Sequence, residues 1–313
     1  MKTQLTSSAN KKPILLTGSH RSGSTWAGRM ITKAPNVGYI FEPFNIKLPL
    51  SVNSKAFDHN FLHICKENED SYRKTIDEVI NFEYPFWFNV NRITKVDNIG
   101  SILRDKSHFL WHKWMQHRAL IKDPIAFFSA EWLYDTYQMD VVMMIRHPAA
   151  FCSSLKIKNW QFDFNNFVNQ PLLIEDYLQP FESQIHDYAR KEHDIIEQSI
   201  LLWNCFHHTI LQYKEKHPNW SYIRHEDLSI SPIDQYQKIY NNLNLDFTNS
   251  AREEIIKTSG GHNPVEQQFD NEFVRNSREN IMNWKKRLST SEIKEIQLKT
   301  EMIASHYYDD SNW

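Results

Sequence analysis

The strongest constraint on this chain is a strand–loop–helix–strand succession near its start. Pro13-Ile-Leu-Leu-Thr17 reads as a short buried strand, and Gly18 to Ser24 as a loop. Thr25 to Lys33 reads as a helix ended before Pro35. Asn36-Val-Gly-Tyr-Ile-Phe41 reads as a second strand. A strand, a crossover helix and a second strand in that order predict a βαβ unit and a parallel sheet.

The rest of the chain extends the pattern. Val141-Val-Met-Met-Ile145 is a short apolar run suited to a buried parallel strand. Pro148 fits the first turn of a helix running to about Lys156. A further strand is expected near Leu120-Ile121 and another over Trp220–Arg224. Helices are expected around Phe127–Tyr137, along Glu182–Lys216, and over Ile233–Leu243 and Ser291–Ser305. Residues 45–120 read mainly as an insertion of helices and loops over the sheet, and Gly260-Gly261 as a loop. Residues 1–12 are polar and expected to be flexible. Residues 13–313 are expected to form one α/β domain, a size that suits 313 residues.

Composition excludes several partner classes. Hydrophobic residues make up 41% and charged residues 24%, so a large core is expected. The formal net charge of -2 gives no global basic field for nucleic acid or an anionic membrane. No run of about 18 apolar residues suggests a membrane span, and the start has no signal-peptide pattern. Cys65, Cys152 and Cys205 form no CxxC pair and no metal-ligand spacing. These features point to a cytoplasmic protein with no metal.

Two segments carry anion-binding chemistry. The first is the loop Thr17-Gly-Ser-His-Arg-Ser-Gly-Ser-Thr25. Its backbone N–H groups can converge on one anion, and the following helix N-terminus adds partial positive charge. Gly23 permits close approach. Ser22, Ser24 and Thr25 add hydroxyls, and Arg21 adds a planar cation. Gly18, Gly23 and Thr25 fit the Walker A pattern, but Ser24 occupies its lysine position. A triphosphate kinase would miss that lysine, so one phosphate-sized group without magnesium is expected. The second segment is Val141 through Leu155. Arg146 follows a predicted strand, at the sheet edge where open α/β sheets bind ligands. Ser154 lies about two turns into the next helix. Arginine grips phosphate with two parallel hydrogen bonds.

Together these segments resemble the PAPS-dependent sulfotransferases (PAPS is 3′-phosphoadenosine 5′-phosphosulfate), most closely the bacterial and carbohydrate types. Arg21-Ser-Gly-Ser-Thr-Trp26 is similar to the family's 5′-phosphosulfate loop, and Arg146 through Ser154 to its 3′-phosphate motif. Tyr222-Ile-Arg-His-Glu-Asp-Leu228 is similar to a Tyr-Glu-Asp-Leu segment, with His225 in place of the tyrosine. Asn276-Ser-Arg278, followed by Trp284-Lys285 and Leu288, is similar to the loop that closes over the nucleotide. The resemblance implies a P-loop-like three-layer sandwich, with a central parallel sheet and helical insertions. It implies that Trp26 stacks on adenine and that Ser277 and Arg278 add contacts to the 3′-phosphate. The implied product nucleotide is 3′-phosphoadenosine 5′-phosphate (PAP).

Sulfuryl transfer spreads charge over the transferred oxygens and needs a stabilised leaving phosphate. Arg21 and the loop amides suit both tasks. A hydroxyl acceptor calls for a general base. Glu42, in Tyr39-Ile-Phe-Glu-Pro-Phe44, follows the second strand and shares its sheet edge. Phe-Glu-Pro at this place resembles carbohydrate and tyrosylprotein sulfotransferases, in which the glutamate is the base. The small-molecule branch uses a histidine, for which His108, His112 and His117 are the candidates. Lys122-Asp-Pro124 resembles an element of bacterial members and is expected on the acceptor side. Lys158, Asn159 and Trp160 suit a sugar or an acidic glycan. Competing readings are a P-loop kinase, opposed by Ser24, and a nucleotide-binding protein without turnover.

Overall fold

The computed structural model describes residues 12–46, 57–84, 97–260 and 281–313. Five strands form one parallel sheet: β1 (Ile14–Gly18), β2 (Val37–Phe41), β3 (Arg118–Lys122), β4 (Asp140–Ile145) and β5 (Ser221–Arg224). Their order across the sheet is β2-β3-β1-β4-β5.

Side chains along a strand alternate between faces, and each face has its own core. Ile14, Leu16, Leu120, Val142 and Met144 face one layer. That layer contains α1 (Ser24–Ile31), with Ala27, Met30 and Ile31, and the helices Pro232–Asn242 and Asn249–Ser259. Leu15, Ala119, Ile121, Val141, Met143 and Ile145 face the other. There the covering helices include α2 (Arg73–Ile80), α3 (Pro148–Lys158) and α4 (Ile195–Lys216). The result is a three-layer α/β sandwich.

The order of strands creates a crevice. From β1 the chain passes to β2 on one side, and later from β4 to β5 on the other. Accordingly α1, which follows β1, packs on one face, and α3, which follows β4, packs on the opposite face. The loops leaving β1 and β4 therefore diverge at the carboxyl edge, where open α/β sheets hold ligands. Gly18 pairs with Met144 at this point. Its φ of 139° and the collision that an added Cβ would make with the Met144 carbonyl oxygen both require glycine.

Three sequence expectations change in detail. The stretch Glu182–Lys216 is two helices, Glu182–Arg190 and Ile195–Lys216. Lys191 is extended, and Asp194 caps the second helix by accepting from Ile196 N at 2.7 Å. The insertion expected over residues 45–120 ends earlier: the helix Asp97–Trp114 closes it, and β3 begins at Arg118. The helix Asn249–Ser259 was not anticipated. Its local signal was Thr248, whose hydroxyl accepts from Ala251 N at 3.2 Å. Residues 1–11 and Gly261 lie outside the described residues.

Candidate functional site

Local sequence shapes the first loop. Gly23 stands before α1 with φ 85°, and Arg21 is left-handed with φ 64°. An added Cβ at Gly23 would collide with the His225 ring, so glycine is required by conformation and by space. Ser24 opens α1, and Thr25 and Trp26 follow on its first turn. The hydroxyls of Thr17, Ser19 and Ser22 are buried with no hydrogen-bond partner among the described residues. Buried hydroxyls are normally satisfied, so this cradle suits a bound polar group.

Arg146 leaves the end of β4 and turns toward that loop. One guanidinium nitrogen, Nη1, donates to the Arg21 carbonyl oxygen, while Nε is buried without a partner among the described residues. The Arg146 carbonyl oxygen accepts from Trp203 Nε1 at 2.9 Å, which fixes the backbone. Burial pulls the Arg146 guanidinium down to about 10, and Glu226 opposes that shift. Glu226 itself accepts from His147 N at 3.1 Å and from Tyr308 OH at 2.9 Å. Ser154 lies on α3, and its hydroxyl accepts from Arg21 Nε at 2.9 Å. Arg21, Arg146 and Ser154 thus meet in one crevice between β1 and β4.

Trp26 is half-buried. Its indole N–H donates to Thr258 Oγ1 at 3.2 Å, and the ring stands edge-on to Tyr236 at 5.4 Å. Both partners come from the helices that cover this face. Ser277 and Arg278 lie outside the described residues.

Glu42 follows β2 with φ 43° and is half-buried. Its surroundings are more polar than the neighbouring sequence suggests. The register pairs Phe41 with Lys122, the last residue of β3. Lys122 is 1% exposed, and its ammonium donates to Glu42 Oε1. Asn45 Nδ2 donates to the other oxygen, Oε2, at 2.7 Å. The same ammonium lies 4.6 Å above the exposed Phe41 ring. Asp123, fully buried, accepts from Phe44 N at 2.7 Å and Ile125 N at 2.8 Å. It thereby ties the loop after β2 to the end of β3. Burial, with the Glu42 charge added, pushes its carboxyl up to about 7; the two N–H groups oppose the rise. Lys122 and Asp123 were the polar residues whose place the sequence had given only as an acceptor-side element.

Six histidines near the two edges of the sheet fall into two groups. His112 Nδ1 faces His117 Nδ1 at 2.7 Å, and its Nε2 faces His108 Nε2 at 2.9 Å. This cluster packs beside Gly38, near the start of β2. Glu42 lies four residues further along the chain, roughly 13 Å away at strand rise. The cluster is therefore at the wrong end of β2 to face the crevice. His20, by contrast, sits in the loop but is plugged between Phe61, Phe151, Trp160 and Phe206 at 5.1–5.8 Å. Burial, helped by Arg21, drives its ring down to about 3. His147 stacks on Trp284 at 5.2 Å, and His225 fills the space beside Gly23. Both are likewise lowered to about 3, chiefly by burial. Beyond α3, Asn159 ends the helix in the left-handed conformation, and Trp160 is 40% exposed at the rim.

The model described as "Sulfotransferase family" matches residues 13–249. No curated protein sequence matches. Among solved structures, the sulfotransferase domain of the Synechococcus PCC 7002 olefin synthase aligns with a TM-score of 0.50 at 14% identity. The alignment covers 98% of this chain and 99% of that one. A mouse sulfotransferase complexed with PAP aligns at 0.47 and 12% identity, over 97% and 88% of the two chains. A Mycobacterium avium sulfotransferase aligns at 0.45 and 10% identity, over 95% and 77%.

Proposed function

The chain belongs to the sulfotransferase family, and we propose that it transfers the sulfuryl group of PAPS to a hydroxyl of a carbohydrate or glycan precursor. The observation that carries this reading is the meeting of Arg21, Arg146 and Ser154 in one crevice. A ribose with anionic groups at its 3′ and 5′ positions needs two grips side by side. The 5′ grip is the loop Arg21, Ser22, Gly23, Ser24 and Thr25. The 3′ grip is Arg146 and Ser154, with Ser277 and Arg278 proposed as additions. Trp26, held by Thr258, is the proposed adenine platform.

When bound, PAPS supplies an activated sulfuryl group on a phosphate leaving group. Arg21 and the loop N–H groups bind the oxygens on which negative charge grows. Ser154 holds Arg21 Nε and so aims the guanidinium across the crevice. Glu42 takes the proton of the acceptor hydroxyl. Lys122 and Asn45 orient its two oxygens. β2 lies two positions from β1 in the sheet, so Glu42 stands roughly 10 Å from the loop. That separation leaves room for a hydroxyl and a sulfuryl group between them. Exposed Phe41 adjoins Glu42, and exposed Trp160 packs on His20 beside Arg21. Two aromatic faces at the rim favour an acceptor with a ring, as a sugar has.

Titration calorimetry tests the nucleotide assignment. PAP binds, and ATP binds much more weakly. Arg146→Ala weakens PAP about 100-fold, the loss of a charge-assisted pair of hydrogen bonds. The same change leaves adenosine 5′-phosphate nearly unaffected. Equal losses for both nucleotides would remove Arg146 from the 3′-phosphate. The acceptor is tested by supplying radiolabelled PAPS with sugar and phenol panels. Label is expected in sugars, and exclusive labelling of phenols would overturn the carbohydrate assignment.

A further inference from the structure

We propose that His63, Cys65 and Asp176, with Glu67 beside the thiol, form a Zn²⁺ site separate from the transfer crevice. One ligand atom each from His63, Cys65 and Asp176 lies within 4.8 Å of the others. Zinc held by one imidazole, one thiolate and carboxylates has bonds of about 2.0–2.3 Å, so its ligand atoms sit roughly 3.3–3.8 Å apart. His63 Nε2 and Asp176 Oδ2 are already at 2.8 Å. A small spreading of that pair and an approach by the thiol complete the geometry. The Cys65 thiol is hydrogen-bonded to Glu67, a carboxylate next to the cluster that could turn in as a fourth ligand.

The imidazole is set up as a ligand. Its Nδ1 lies 2.9 Å from the Phe128 carbonyl oxygen, so the ring proton belongs there. That leaves the Nε2 lone pair directed at a carboxylate oxygen. Two acceptors face each other unless a cation stands between them. A proton would satisfy that pair, but a metal ion also accounts for the converging thiol. A carbonyl that fixes the opposite ring nitrogen is the usual support of a metal-bound histidine.

The backbone is held in advance. His63 N donates to Gln170 Oε1 at 2.9 Å, and Ile64 N donates to Ser129 Oγ at 3.1 Å. Asn68 spans the segment, accepting from Cys65 N at 2.9 Å and donating to the His63 carbonyl at 3.0 Å. Asp176 comes from a single π-helical turn, Ile174–Leu178, an irregularity that often marks a functional position. His63 is 4% exposed and Asp176 46%, so an ion has an entry path ending on a fixed ring. His63 and Asp176 are 113 residues apart, which is why no local spacing announced the site. Bound metal would clasp the 57–84 segment to the helical layer.

The test uses untagged full-length protein, stripped with EDTA and titrated with Co²⁺. One equivalent is expected to bind with a thiolate-to-cobalt charge-transfer band, and Zn²⁺ is expected to displace it. Cys65→Ser abolishes the band. Asp176→Asn keeps the side-chain shape at the surface and weakens Zn²⁺ at least about tenfold against a chromophoric chelator. Absence of the band in the wild type, or its persistence in Cys65→Ser, overturns the site. So does wild-type affinity in Asp176→Asn, which decides the matter alone where Cys65→Ser does not fold.

Discussion

Glu42→Gln is expected to lower turnover by about 10²–10⁴-fold, the range of a positioned general base, while PAP affinity stays nearly unchanged. The amide cannot accept the acceptor proton, but its oxygen can still receive the Lys122 ammonium. The charge is lost in any neutral variant, but the hydrogen bond to Lys122 is kept, so the amide is the milder change. The partner is what makes this variant informative, because Lys122 is 1% exposed. Glu42→Ala would leave that ammonium buried without its carboxylate, at a cost of about 3–5 kcal/mol. It would confuse lost chemistry with lost stability. Single-turnover rates with saturating PAPS separate the two effects for Glu42→Gln. A rate equal to wild type would assign the base elsewhere. The three clustered histidines are poorly placed to replace it, since they hydrogen-bond to one another near Gly38.

Acid is expected to destabilise the folded chain well before the surface carboxylates titrate. His20, His147, His207 and His225 are each pushed down to about 3, chiefly by burial. Each also leaves one buried ring nitrogen without a partner among the described residues, so an added charge would meet no acceptor. The sign follows from proton counting. Between about pH 3 and 6.5 the unfolded chain carries protons on these rings and the folded chain does not. Stability therefore falls as pH falls through that window. Asp123 works in the opposite direction. Its folded carboxyl is raised to about 7, so it takes up a proton before the unfolded group does. Glu226 is also raised by burial and adds to that opposition. Four depressed histidines against the two raised carboxyls leave a net loss on the order of a few kcal/mol between pH 7.5 and 5.5. Urea unfolding followed by tryptophan fluorescence should show a clearly lower midpoint at pH 5.5. A midpoint that stays constant or rises would mean these rings are not held neutral.

Much of the crevice was legible because its parts are local. A short apolar run, a glycine with positive φ and a helix start follow one another within the first motif. Strand period and backbone sterics act over a few residues, so Gly18, Gly23 and Arg21 could be placed from neighbours alone. The run before Arg146 and the proline after it are equally local. What no local rule supplies is which strand lies beside which. β3 arrives far along the chain, yet it inserts between β2 and β1. That insertion sets Lys122 against Glu42, and it lets Asp123 hold the loop that carries Glu42.

By itself, then, the sequence determined the parallel α/β character, the loops after β1 and β4 proposed as anion grips, and the glutamate at the end of β2. Only the tertiary structure decided that Ser154 reaches Arg21, and that a buried lysine accompanies Glu42. It alone drew His108, His112 and His117 to the other end of β2, and brought Asp176 to His63. Contacts between distant residues depend on strand order and layer packing. These are set by burying two sheet faces at once, a condition that no short stretch of sequence contains.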